Sequence, residues 1–230
     1  DRLPHSRPGY PPVVAVSPKD LERHLGIGRR AHARLLDALT DLVAAGEFDV
    51  AVPTRLPGWT RGMLLAHLAR NADGHRRMIE GAGRGEELAQ YPGGIEERDR
   101  GIEAGRDRAA TDLLADLVES TARLEAAWTA SDWVGFGRRG RRVPIVDLPF
   151  LRIREVELHH VDLDVGSTFD DLDPTYVRLE LSRLTMLWTA RQPMGMTSLP
   201  DPILVESPGA RLAWLTGRRE IAGLAPPQLL

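Results

Sequence analysis

Apolar residues in "DLERHLGIGRRAHARLLDALTDLVAAG" (20–46) return every three or four positions, the period of a helix with one buried face. Ser17-Pro18 ahead of Asp20 marks its start, and the pattern carries it to Gly46, with a bend expected near Gly26 and Gly28. "PTRLPGWT" (53–60) reads as a turn, in which Thr60 is a good N-cap and Trp59 can staple onto Leu64. A second helix follows to about Glu80, with Gly81 as its stop. Residues 81–107 are rich in Gly and charge, contain "YPGG" at 91–94, and predict a long loop with at most a short helix. "AATDLLADLVESTARLEAAWTAS" (109–131) predicts a third helix from good helix formers. After the turn "GFGRRGRRVP" (135–144), Asp147 caps a fourth helix with Pro149 in its first turn, ending near Asp164 ahead of Gly166.

Four such helices over residues 17–166 predict an up-and-down four-helix bundle in a mainly α protein. Past Gly166 the pattern changes. A helix over 173–190, a β-rich run in "PDPILVESPG" (200–209) and a short helix in "ARLAWLTGR" (210–218) predict a small C-terminal α/β or α+β domain over 167–230. The Pro-rich opening, residues 1–16, reads as a disordered arm or a remnant of expression.

With 42% hydrophobic residues among 230, the chain can bury a real core. The formal charge of -3 and a pI near 6.2 supply no basic field for nucleic acid, although Arg is abundant and Lys19 is the only lysine. No run approaches the roughly 18 apolar residues of a spanning helix, and the opening lacks the apolar stretch of a signal peptide, so a cytoplasmic protein without membrane contact is expected. There is no cysteine, so a metal would need nitrogen and oxygen ligands, and thiol chemistry would need a thiol from outside. "GIGRRA" (26–31) is not a dinucleotide loop: no strand precedes it and the third glycine is missing.

The chemistry concentrates in "REVELHHVDL" (154–163). Residues four apart on a helix share a face, so Glu155 and His159 can reach one ion together; Glu157 and His160 form a second pair, turned away from the Glu155 face. A third ligand is needed from elsewhere. In "LLAHLARN" (64–71) His67 lies in the apolar part of the second helix, where a lone histidine is ordinarily a satisfied core residue. His75 lies about 12 Å further along the helix, so only one of the two can join a compact site. If the second and fourth helices face each other, His67, Glu155 and His159 form a two-His-one-carboxylate set with an open position, the pattern of a catalytic zinc. Arg152 and Arg154 read as solvated helix charges more readily than as substrate clamps, and Asp162 and Asp164 as helix-end residues.

In order, "LPGWTRGMLLAHLARNADG", "YPGG" with "RDRGIEAG", "REVELHHVDLDVG" and "LAWLTGR" resemble the mycothiol-dependent maleylpyruvate isomerase family, within the wider DinB-like metal-binding bundles, over about residues 17–219. The resemblance implies zinc on His67, Glu155 and His159, and a catalytic arginine in the C-terminal part, for which Arg218 is the match and Arg219 its neighbour. It implies mycothiol as the low-molecular-weight thiol cosubstrate. In the isomerase reaction that the resemblance implies, its thiolate, favoured by a zinc site of net charge about +1, would add to the cis double bond of maleylpyruvate, and rotation followed by expulsion of the thiolate would give fumarylpyruvate. Arg154, Tyr91 and Asn71 are the further candidates for binding the small-molecule substrate. A thiol transferase on another electrophile and a metal-binding module without turnover stay open as alternatives.

Overall fold

The computed structural model describes residues 16–192, 198–227 and 229, and the predicted N-terminal arm lies outside these except for Val16. The chain divides into two compact units, 16–167 and 168–230.

The first unit holds four long helices: α1 (Pro18–Ala44), α2 (Arg61–Gly83), α4 (Ala110–Ala130) and α5 (Leu148–Asp162). Between α2 and α4 lies the shorter α3 (Gly94–Glu103), and between α4 and α5 a hairpin of β1 (Phe136–Arg139) and β2 (Arg141–Pro144). Ser17 and Thr60 cap α1 and α2 as predicted, accepting from the amides of Asp20 and Met63. Asp147 precedes α5 but its side chain makes no capping bond, because a short 3-10 turn (Ile145–Asp147) already leads the backbone into the helix.

The fold is mainly α, as the apolar periodicity predicts. The residue pairings refine the up-and-down expectation. Gly28 meets Trp128 and His32 meets Glu125, so α1 and α4 are antiparallel; His67 meets Glu155 and Asn71 meets Arg152, so α2 and α5 are antiparallel as well. By contrast Arg70 pairs with Asp116 and Asp73 with Arg123, so α2 and α4 run parallel. The long connection 84–109 makes this possible by carrying the chain back along the bundle. No kink is needed at Gly28: a Cβ there would stand 2.8 Å from the Trp128 ring, so glycine serves the close packing of α1 on α4. One buried cluster joins Leu35, Leu39, Leu64, Leu68, Leu113 and Leu117, and a second gathers Met78, Leu124, Trp128, Ile145 and Leu148.

The second unit contains α6 (Pro174–Arg191), α7 (Asp201–Leu204) and α8 (Pro208–Leu215), with α6 packed on α8 and the Trp188 and Trp214 rings 5.2 Å apart. The β-rich run predicted for 200–209 is not formed, and the described residues of this unit contain no strand. Pro202 sits in the first turn of α7 and Pro208 in that of α8, positions that suit a helix start and remove the amides a strand would need.

Candidate metal centre

Helices α2 and α5 place His67, Glu155 and His159 side by side, with one ligand atom from each lying within 4.8 Å of the others. His67 Nε2 is 3.0 Å and His159 Nε2 3.5 Å from Glu155 Oε2. Ligand atoms around a tetrahedral zinc with bonds of roughly 2.0–2.2 Å stand about 3.3 Å apart, so the donor set and its spacing fit such an ion. The two imidazole rings meet edge to face at 5.1 Å, and Trp59 closes over His67 in the same way at 5.6 Å. Trp59 therefore covers a candidate ligand, a role beyond the predicted staple.

His159 is held from behind. Its Nδ1–H donates to Asp162 Oδ2 at 2.9 Å, which leaves Nε2 facing Glu155. Asp162 is the last residue of α5, as its helix-end reading expects, but it is wholly buried and has a further role: it fixes the tautomer and orientation of a histidine one turn earlier. Burial opposes ionisation of Glu155, but hydrogen bonds with His159 and His67 hold its carboxyl well below the usual range. For His159, burial is likewise outweighed, here by Asp162 and Glu155, and its pKa is raised. His67 goes the other way, because burial outweighs its bond to Glu155. Asp162→Asn should weaken divalent-metal binding roughly 10- to 100-fold while leaving the three donors in place; competition against a chromogenic chelator measures it.

The second pair, Glu157 and His160, is not part of this cluster. Both are buried rather than on the surface, and Glu157 accepts from Arg34 at 2.6 Å across the interface with α1. Arg154 is half-buried, its guanidinium 6.0 Å from the centre of the Phe150 ring. A guanidinium that does reach Glu155 belongs to Arg139 at the tip of the hairpin, Nη2 to Oε1 at 3.2 Å, with its Nε on Gln90 Oε1 at 2.9 Å. Sequence reasoning saw only a turn there. The hairpin sits against α2 because Gly137 lets the backbone approach Met78, where a Cβ would stand 2.8 Å from the side chain.

Arg152 is corrected from a solvated charge to a buried one. Its Nε donates to His32 Nε2 at 3.1 Å, and its Nη1 donates to Leu68 O and Asn71 Oδ1, both at 2.9 Å. His32 Nδ1–H donates in turn to Glu125 Oε1 at 2.6 Å, so a neutral imidazole links a buried cation to a half-buried anion. Burial pushes the His32 ring down to about 4, against the bond with Glu125, and pushes Arg152 down to about 10, which still leaves it charged at neutral pH. Because the folded ring is the weaker base, the unfolded chain takes up the proton first. The stability this group contributes is complete above its ordinary value of 6.5 and is lost as pH falls from there to about 4, on the order of 3 kcal/mol. Denaturant titrations across that interval should show the loss, and His32→Phe should flatten it.

Of the other sequence candidates, Asn71 is buried as the acceptor for Arg152, while Tyr91 is partly buried with its hydroxyl facing no protein partner. Burial and the Glu155 charge push that phenol up to about 12. Arg218, just past α8 in the other unit, donates to Thr216 O at 2.9 Å, and Arg219 pairs with Glu206 at 3.2 Å. Among the described residues no helix is long and apolar enough to cross a membrane.

Comparison with curated proteins gives no match. Among solved structures, the chain is similar to a mycothiol-dependent maleylpyruvate isomerase, at 26% identity and a TM-score of 0.73, with 86% of this chain and 90% of that one covered. A histidine-to-alanine mutant described as the same enzyme matches over the same shares at 25% identity and a TM-score of 0.73. The model of the mycothiol maleylpyruvate isomerase N-terminal domain matches residues 19–164, the stretch that contains all four bundle helices and the His67, Glu155 and His159 cluster. The chain belongs to the mycothiol maleylpyruvate isomerase N-terminal domain family.

Proposed function

We propose that the protein is a zinc- and mycothiol-dependent isomerase that converts maleylpyruvate to fumarylpyruvate, with His67, Glu155 and His159 as the metal ligands. The observation that carries the reading is the two-imidazole, one-carboxylate cluster, backed by Asp162, in a chain without cysteine. A divalent ion there supplies a Lewis acid that favours an external thiolate over the thiol, and such a thiolate lends a conjugated cis double bond the freedom to rotate. The chain's own part is orientation and exclusion of water. Asp162 keeps the His159 proton on Nδ1 so that Nε2 is a lone-pair donor, Trp59 shields His67, and Arg139 places positive charge beside Glu155. A substrate with two carboxylates is favoured by fixed guanidinium groups near the reacting centre.

We also read residues 167–230 as a separate domain that contributes Arg218 to catalysis. Arg218→Ala should then keep fold and metal but lose on the order of a hundredfold in rate, while Arg219→Ala, which gives up only the contact with Glu206, loses little. The deciding assay is formation of fumarylpyruvate by zinc-loaded protein with mycothiol and maleylpyruvate. Metal retention and thiol binding without any isomerisation would overturn the isomerase reading; transfer of mycothiol to a different electrophile would put a thiol transferase in its place.

A further inference from the structure

His67, Asn71 and His75 recur every four residues along α2 and form one face of that helix, and the facing stripe of α5 is His159, Glu155 and Arg152. Since the helices are antiparallel, the polar contacts run as a ladder: His67 with Glu155 and His159, then Asn71 with Arg152. The metal candidates occupy one end. Beyond them the ladder continues for roughly two helical turns, and there only part of its hydrogen-bonding capacity is matched.

Arg152 Nη2 and both ring nitrogens of His75 have no protein partner, although both residues are 0% exposed. Gln90 Nε2 and Tyr91 Oη are buried and unpaired in the same way. They arrive on a segment that crosses α2 at Gly74, where a Cβ would stand 3.0 Å from the carbonyl of Gln90. Buried polar atoms are nearly always satisfied, and four residues with unmatched atoms call for an occupant. The type of atom indicates which kind. Guanidinium, amide NH2 and phenol groups can all donate, and the phenol stays protonated because its pKa is pushed up to about 12. His75, driven well below its ordinary pKa by burial, offers one further N–H. The charges of Arg139 and Arg152 both act on His75, as does that of Glu155, so two guanidinium groups stand near this end of the ladder.

We propose that Arg152, His75, Gln90 and Tyr91 form a carboxylate-binding subsite, which anchors one end of a small dicarboxylic acid while its reactive carbons lie at the His67, Glu155 and His159 cluster. The proposed isomerase reading enters only in the choice of acid; the unmatched donors stand without it. Arg139, already bridging Gln90 and Glu155, ties the subsite to the cluster and can add a charge-assisted contact to the same carboxylate.

The test is equilibrium binding of maleate, without thiol, to metal-free and zinc-loaded protein, by calorimetry and by the nitrogen resonances of His75 and the Arg152 guanidinium. Maleate should bind in both forms and shift both sets of resonances. Tyr91→Phe and Gln90→Leu should each weaken binding roughly 3- to 10-fold, and Arg152→Lys by more than tenfold. Should Arg152→Lys fail to fold, the two variants on the covering segment still decide the matter. Maleate that binds only with zinc and ignores all three substitutions sits on the metal, and the subsite is overturned. Undetectable binding, or His75 resonances unmoved by bound maleate as for a cluster filled by water, overturns it too. Failure of thiol-dependent turnover with maleate binding intact would sink the isomerase reading and leave the subsite standing. Turnover whose KM is untouched by Tyr91→Phe and Gln90→Leu would do the reverse.

Discussion

His67→Ala, Glu155→Ala and His159→Ala should each abolish stoichiometric binding of divalent metal and any metal-dependent activity. Three protein donors are the minimum of a catalytic zinc site, so losing one leaves a two-coordinate remnant. The three variants are not equivalent in the metal-free protein. Removing Glu155 takes away the carboxylate that holds both imidazoles and leaves Arg139 facing them. Removing His67 takes one hydrogen bond from that carboxylate but leaves its contacts with His159 and Arg139. Elemental analysis of dialysed protein checks the binding, and near-stoichiometric metal in all three variants would exclude this ligand set.

Arg152→Leu should destabilise the first unit by about 3–5 kcal/mol, the scale for breaking a buried charge network by removing one partner. Three acceptors each lose a donor together: His32 Nε2, Leu68 O and Asn71 Oδ1, of which only the Leu68 carbonyl keeps a helix amide. Glu125 would remain bonded to a ring that no longer has anything to hold its second nitrogen. The shift should appear in the denaturant midpoint with an unchanged slope, since the same surface is exposed on unfolding. Arg152→Lys should recover little, because one ammonium on a flexible stem cannot span acceptors on both α1 and α2.

The helices were legible because each buries one face, and a period near 3.6 survives in sequence whatever the helix packs against. The pairing of Glu155 with His159 was legible for the same reason. What spacing could not show was the burial of a charge. Arg152 and Asp162 look like surface residues in one dimension, since their partners are either on other helices, as with His32 and Asn71, or at an interval shared by many exposed pairs, as with His159. Choosing His67 over His75 likewise depends on which turn of α5 stands opposite, a tertiary fact. The Arg-rich hairpin escaped notice because its four-residue strands carry almost no apolar alternation, and its burial rests mainly on Gly137 and Val143. In "PDPILVESPG" the apolar run predicts β structure, whereas in the structure its prolines decide the backbone.

The parallel course of α2 and α4 has a consequence for how the chain acquires its structure. In a bundle of simple alternation each helix can zip onto the one just made, and most contacts are local in sequence. Here α1 packs chiefly on α5 and then α4, so the first helix finds its main partner at the far end of the unit, while α2 packs chiefly on α4 across the long connection 84–109. Loop-closure entropy for two wide spans must be met before burial compensates it, which raises contact order for a helical protein and slows the search for the native state. A nascent chain that has emerged only as far as α3 would hold two amphipathic helices with their apolar faces largely uncovered, and α4 and α5, which close the core, are also the last helices of that unit to be synthesised.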